Sequence, residues 1–121
     1  MFTTMTVNDV SLAVFAADGP ALARDQDATD LIGQLWGQDV DMIVIPTTRL
    51  ADDFFALRTR VAGEIAQKFA NYRLRVAVLG DIAEHVARSE AMASFVHESN
   101  RGTQLWFVPT LDELTGRLSR P

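Results

Sequence analysis

The residues of this chain whose types and spacing could do chemistry are Arg58, Asp81 and His85. Asp81 follows an apolar run that reads as a buried strand, and His85 lies four residues further on. On a helical turn these two residues share a face, so the Asp81 carboxylate could orient the His85 imidazole as a general base. Arg58 lies near a predicted helix start, where it could help to hold an anion.

A structural role explains the same residues without any reaction. Aspartate after a strand commonly forms a turn or caps a helix. Ser89 would extend Asp81 and His85 into an i, i+4, i+8 series, but side chains stacked along one helix do not converge on one substrate atom. The sequence therefore favours a protein that is not an enzyme. For the alternative of an enzyme, Asp81 and His85 are the catalytic candidates.

A second polar group is predicted at the opposite end of the sheet. Lys68 and Tyr72 lie at the end of the second predicted helix, and Asn100 and Arg101 lie at the end of the third. Cations and asparagine are typical of helix C-termini, so capping accounts for the group. The functional alternative is that these four side chains form a patch that binds a ligand or a partner.

Composition limits the classes of function. The 121 residues carry a net charge of −5, and 48% are hydrophobic, which predicts a single domain over 1–121. An acidic surface is a poor partner for nucleic acid. The chain has no cysteine and two histidines, a pattern that predicts no metal site. No apolar run approaches the ~20 residues of a membrane span, and no signal peptide is present, so we expect a cytoplasmic protein without membrane contact or cofactor.

Hydrophobic periodicity predicts the elements that position these residues, in the order ββαβαβαβα. The expected strands are a hairpin over 1–7 and 11–17 and apolar runs over 42–45, 74–79 and 104–108; the four expected helices have stripes over 28–36, 54–69, 91–96 and 114–118. Helices that connect apolar strands indicate a largely parallel α/β sheet. The opening hairpin makes this five-stranded sheet mixed.

Most of the aromatic residues, Trp36 among them, fit the predicted core. Phe54 and Phe55 are consecutive at the start of the second predicted helix, so both cannot face inward. We therefore expect one of these two rings to be exposed. An exposed ring there is a candidate anchor for a protein partner.

The segments LRTRVAGEIAQKFANYRLRVAVLGD, ESNRG and LWFVP resemble the bacterial family called domain of unknown function 4180. The resemblance spans roughly Leu31 to Leu118 and implies no activity. The family pattern implies a small residue, often glycine, where this chain has Arg60. That departure argues against close approach of a ligand to the backbone at the first turns of the second helix.

The element order also resembles the STAS-like fold of anti-sigma-factor antagonists. That resemblance implies a phosphorylatable serine at the start of the helix after the third strand. The equivalent stretch, 52–59, contains no serine, and Thr59 is its nearest hydroxyl. A serine phospho-switch is therefore not expected, although docking of a partner through this stretch stays a hypothesis.

Together these patterns predict a non-enzymatic module that acts in protein interaction or regulation and binds another protein or its own copy as a homodimer. The alternative is a small-molecule-binding protein or small enzyme that uses the carboxyl edge of the sheet. The candidate binding residues are Asp52, Phe54, Phe55, Arg58, Thr59, Asp81, Lys68, Tyr72, Asn100 and Arg101.

Overall fold

A computed structural model describes residues 2–119, which form one five-stranded mixed sheet and five α-helices. In chain order the elements are β1 Phe2–Val7, β2 Val10–Phe15, α1 Asp25–Gln34, β3 Met42–Pro46, α2 Val61–Asn71, β4 Arg75–Leu79, α3 Ala83–Arg88, α4 Glu90–Arg101, β5 Leu105–Val108 and α5 Leu111–Leu118. Three short 3₁₀ turns, Thr47–Arg49, Asp52–Phe55 and Leu57–Thr59, lie between β3 and α2.

The strands lie in the sheet in chain order, from β1 to β5. The first pair is antiparallel and the other three pairs are parallel, so the predicted mixed sheet is confirmed. Ala77 of β4 pairs with Val44 on one side and with Trp106 on the other. The predicted runs 74–79 and 104–108 therefore lie side by side in one sheet.

Two helices connect β4 to β5, where the predicted element order has one helix; residues 82–86, which the sequence predicts as a short helical turn, largely fall in the first of them. The break lies at Ser89, which has an extended backbone with φ −148° and ψ 116°. Its hydroxyl accepts a hydrogen bond from the backbone N–H of Met92 at 3.1 Å, which caps α4. A serine that caps the following helix thus ends α3, and the described part of the chain has five helices instead of about four.

Apolar side chains cover both faces of the sheet, as the uninterrupted strand runs predict. On one face, the row Val61, Ile65 and Phe69 of α2 packs with α1, α4 and the inward residues of β3 and β4. On the other face, Leu114 and Leu118 of α5 pack against β2 to β5. The Thr110 hydroxyl accepts from the Glu113 N–H at 3.1 Å, which confirms the predicted start of the last helix.

The predicted start of the second helix at Phe54 is wrong. This stretch forms 3₁₀ turns, and α2 begins at Val61 after Arg60, which has a left-handed backbone with φ 66°. Phe54 and Phe55 are both buried, at 2% and 8% exposure, so neither is an exposed anchor. Glycine adopts the left-handed conformation at little cost, so the small residue that the family resemblance implies at position 60 would need no bound ligand to explain it.

Trp36 is 89% exposed, so its predicted place in the core is also wrong. Helix α1 ends at Gln34, and Gly37 turns the chain with φ 80°. The helical period that places apolar residues inward therefore no longer applies at Trp36.

Arg49 is a buried residue that the sequence pattern did not single out. Its side chain is 3% exposed, and it donates hydrogen bonds to the carbonyl oxygens of Pro20 at 3.0 Å and Ala16 at 3.1 Å. Leu22 and Leu50 form a parallel bridge beside it. Arg49 thus holds the segment after β2 against the turn after β3, at the carboxyl edge of the sheet.

Gly80 provides a test of this edge and Gly63 a control, because an added methyl group should have opposite effects on stability at the two positions. At Gly80, with φ 141°, a Cβ would lie 2.5 Å from the Thr47 hydroxyl oxygen, so Gly80→Ala should lower the free energy of unfolding by about 2 kcal/mol. Gly63 lies inside α2 with nothing within 4 Å of its Cβ position, so Gly63→Ala should raise it by about 1 kcal/mol. Urea unfolding measures both values. An unchanged or raised free energy of unfolding in Gly80→Ala would contradict the geometry described for this edge.

Candidate functional site

A cleft opens beyond the carboxyl ends of β3 and β4, between the 3₁₀ turns and the helices α3 and α4. Its volume is about 540 Å³. In parallel α/β sheets this edge is where ligands usually bind. We call it the carboxyl-edge cleft, and it is lined by Asp52, Phe55, Ala56, Leu57, Arg58, His85, Arg88, Ser89 and Ala91.

The His85 ring lies flat on Phe55 within this cleft. The two ring centres are 3.8 Å apart, and the ring planes differ by 9°. Phe55 is in turn held by the edge of Phe54, with centres 5.3 Å apart at an angle of 70°. Because Phe54 is buried in the core, this chain of contacts fixes the plane of the imidazole.

Two arginines and one aspartate bring charge to the cleft. Arg58 is exposed, and Arg88 makes an exposed ion pair with Glu84 at 3.8 Å. Such exposed pairs hold a side chain weakly, so Arg88 can turn toward a ligand at little cost. Of the side chains that line the cleft, two are arginines and one, Asp52, is a carboxylate, while Glu84, the partner of Arg88, lies outside the lining.

Asp81 does not join His85 in this cleft. Its carboxylate accepts the backbone N–H of Ala83, the first residue of α3, at 2.9 Å. Ser89 caps α4 and lies beyond the end of α3, so the i, i+8 relation to Asp81 is lost. Among residues 2–119, no hydrogen bond joins His85 to a carboxylate or a hydroxyl. The structure therefore brings Arg58 and His85 together and gives Asp81 a structural contact.

The hydroxyl of Thr59 is engaged by the backbone around it. Its oxygen lies 2.6 Å from the carbonyl oxygen of Asp53 and 2.7 Å from that of Ala56. It also accepts the backbone N–H of Val61 at 3.3 Å. Thr59 thus ties the 3₁₀ turns to the start of α2, and it does not line the cleft.

The four residues predicted at the amino edge have separate surroundings. Lys68 pairs with Asp25 at 4.0 Å, while Tyr72 is 54% exposed at the end of α2. The side-chain oxygen of Asn100 accepts the Phe107 N–H at 2.7 Å, and Arg101 pairs with Glu98 at 3.8 Å on the surface. Lys68 and Asn100 line different cavities, so a shared patch stays a prediction.

The charges of these other cavities differ from those of the carboxyl-edge cleft. The groove beside Lys68, of about 570 Å³, has equal numbers of cations and carboxylates, namely Arg60, Lys68, Asp25 and Glu64. The cavity beside α5 has one cation against two carboxylates, namely Arg117, Asp112 and Glu113. Of the three, the carboxyl-edge cleft is therefore the one suited to an anion.

Sequence reasoning missed three cations: Arg88 in the cleft, and the pair Arg75 and Arg117 elsewhere. Arg88 follows His85 by three residues, and this helical spacing could have placed it on the same face.

Arg75 and Arg117 lie over Trp106, with guanidinium carbons 4.7 Å and 3.9 Å from the ring centre. Burial lowers the pKa of Arg75, Arg117 lowers it further, and Asp41 opposes both effects. No local sequence pattern predicts this stack, because its three residues belong to three separate elements, β4, β5 and α5.

Within the described range 2–119, no three His, Asp or Glu side chains are grouped so that they could hold a metal ion. In the same range, every helix is too short or too polar to cross a membrane.

The model of a family described as a domain of unknown function (DUF4180) matches residues 7–118, nearly the whole chain. No curated protein and no solved structure matches the chain.

Thr59→Val tests the structural role of the Thr59 hydroxyl, because valine keeps the shape and removes the hydrogen bonds. We expect a loss of about 1–2 kcal/mol in the free energy of unfolding, and Thr59→Ser should recover most of it. Thr29→Val is the control, since the Thr29 hydroxyl makes one long contact of 3.4 Å within α1. Equal losses of stability in Thr59→Val and Thr29→Val would show that the Thr59 hydrogen bonds stabilise the fold no more than the single long contact of Thr29.

Proposed function

Because the chain belongs to the family described as a domain of unknown function (DUF4180), whose description names no activity, we propose a function from the geometry of the chain itself. The protein is a non-enzymatic binding module. Its carboxyl-edge cleft holds the anionic group, a carboxylate or a phosphate, of a small-molecule ligand.

The observation that carries this proposal is the pair of arginines, Arg58 and Arg88, at one cleft of a chain with a net charge of −5. The overall field of an acidic protein repels anions, so a local cationic cleft is needed to attract one. The planar guanidinium group matches a carboxylate or a phosphate with two parallel hydrogen bonds. His85 adds a ring N–H donor beside them, in a plane set by Phe55.

The remainder of the cleft suits the apolar part of a ligand. Phe55, Ala56, Leu57 and Ala91 provide apolar lining. A volume of about 540 Å³ falls within the ~300–1,000 Å³ common for small-molecule sites. Such a pocket with a few convergent polar groups at the carboxyl edge is the usual form of a binding site in α/β folds.

A binding role without catalysis is supported by the tasks of the nearby reactive groups. The Asp81 carboxylate accepts the backbone N–H of Ala83 at the start of α3, and the Ser89 hydroxyl caps α4. We also infer a STAS-like fold from the order of the elements, although α3 and α4 replace the single helix expected there. Residues 52–59 contain no serine, so the phosphorylation site of an anti-sigma antagonist is missing there. In our proposal, the module responds to binding of the ligand instead of to phosphorylation.

Titration with inorganic phosphate and with citrate tests the cleft, followed by NMR of backbone amides. We expect saturable shifts of the amides of 55–58 and 85–91 at millimolar concentration. Arg58→Gln and Arg88→Gln should each weaken binding about tenfold, because a hydrogen bond to a charged group contributes about 1.5 kcal/mol or more. Arg101→Gln is the matched control, since Arg101 is an exposed arginine outside the cleft.

Two results would refute the anion site. One is the absence of saturable shifts with either anion, and the other is equal weakening by Arg101→Gln, which would reveal nonspecific attraction to surface charge. Raising the salt concentration should weaken binding in the wild type, because exposed charges are screened.

A second candidate function, binding of a protein partner, is favoured by the exposure of Trp36. A tryptophan that is 89% exposed is unusual, and tryptophan is enriched at the centres of protein interfaces. Tyr72, also exposed, lies at the end of the neighbouring helix α2. Both α1 and α2 run from the carboxyl to the amino edge, so these two aromatic residues lie at the same edge.

A photo-crosslinking amino acid at position 36 tests the partner in the native host. A defined protein should be cross-linked from position 36 and not from Gln26, an exposed residue near the start of α1. Tyr72→Ser should reduce the yield if both aromatic residues contact the partner. Equal products from both positions would exclude a specific surface at Trp36.

A further inference from the structure

The two outer strands of the sheet, β1 and β5, differ in whether other groups of the chain bond to their outward backbone N–H and C=O groups. At the β5 edge, the N–H of Phe107 is bonded to the side-chain oxygen of Asn100 at 2.7 Å. The carbonyl of Asn100 is itself held by the guanidinium of Arg117. A side chain therefore occupies a backbone donor that could otherwise pair with another strand.

Within the described part of the chain, the β1 edge shows no such protection. All six residues of β1 pair with β2 in unbroken register, from Phe2 with Phe15 to Val7 with Val10, so no bulge turns the edge away. The strand contains no proline and no charged residue. Among residues 2–119, the backbone of β1 makes no hydrogen bond outside its ladder with β2. Natural proteins usually block such an edge with charges, proline, bulges or a covering element.

We propose that two copies of this chain pair through β1 in antiparallel orientation and join their sheets into one. An isologous pairing of this kind needs one surface only, because the same strand serves both copies. It also leaves no backbone donor or acceptor unmatched at the centre of the joined sheet. The proposal is independent of the ligand proposed for the carboxyl-edge cleft.

Charge favours a second copy at this particular strand. Each copy has a net charge of −5, so most contacts between copies would bring carboxylates together. The neutral β1 avoids this, and the nearest charged residue along the described chain, Asp9, lies in the hairpin turn between β1 and β2. In an antiparallel pair the two Asp9 residues lie at opposite ends of a ladder of about 20 Å, beyond the range of strong repulsion in salt. Met5 and Val7, half-buried in one copy, would gain apolar neighbours.

The alternation of the strand restricts the register. A two-fold axis perpendicular to the sheet keeps each face on its own side, so directly opposed residues must belong to the same face. The sum of their residue numbers is therefore even. One residue then lies directly opposite its own copy, and the axis lies midway between these two copies. The registers that pair most of β1 place either Thr4 or Met5 directly opposite its own copy.

Sedimentation over concentrations from about 10 μM to about 1 mM tests the dimer, because weak interfaces of small area dissociate in this range. The mass should rise from 13.4 kDa toward twice that value. Thr4→Lys and Thr4→Glu, each alone, should weaken association at least about tenfold, since both registers bring the like charges close. An equal mixture of the two variants should associate again, which also shows that both are folded. Thr103→Lys, at an exposed threonine just before β5, is the control and should leave association unchanged.

The absence of cysteine from the chain allows a direct test of the axis. A cysteine directly opposite its own copy lies within the Cα separation that a disulfide needs. Under oxidation, Thr4→Cys or Met5→Cys should therefore form a cross-linked dimer rapidly, whereas Thr103→Cys should not. The proposal fails if the wild type stays a monomer at about 1 mM, or if a dimer forms that ignores charges at Thr4 and cross-links at neither position.

Discussion

The parallel pairing of β3 with β4 is the constraint on which the remaining structure depends. Five residue pairs, from Met42 with Arg75 to Pro46 with Leu79, bring the two strands to an end at the same level. The segments that leave them therefore start side by side, and this places Phe55 under the His85 ring. A slip of one residue would exchange the faces of every side chain in β4 and would remove one wall of the cleft.

The connection after β3 shapes the other wall, and it does so without a helix. In 3₁₀ turns, the consecutive rings of Phe54 and Phe55 can both turn inward, one toward Phe107 and one toward His85. Thr59 closes these turns, and Arg60 redirects the chain with a left-handed backbone. Arg58 follows the two buried rings in these turns, and its side chain is left exposed at the surface.

Sequence patterns predicted the parts of this fold that repeat with a regular period. The apolar run 74–79 and the row Val61, Ile65 and Phe69 were placed correctly because many neighbouring residues agree on one face. The prediction failed for Trp36 and for Phe54–Phe55, where the period is extended past the end of a helix. Arg49 could not be predicted either, because the carbonyls that satisfy it lie about thirty residues away. For the site, the sequence supplied Arg58 and His85, but the stack on Phe55 depends on the turns that periodicity cannot describe.

The proposed surfaces are compatible in one assembly because they use different parts of the sheet. Strand β2 separates β1 from β3, so the joined edge lies about 10 Å from the strands that support the cleft. An antiparallel pairing reverses the strand direction between copies, and the carboxyl edge of one copy then lies on the same side as the amino edge of the other. At each end of the strands, the joined sheet would present the carboxyl-edge cleft of one copy and the exposed Trp36 of the other. Binding of an anion at one cleft need not displace a copy or a protein partner, since no residue of the cleft belongs to β1 or to the end of α1.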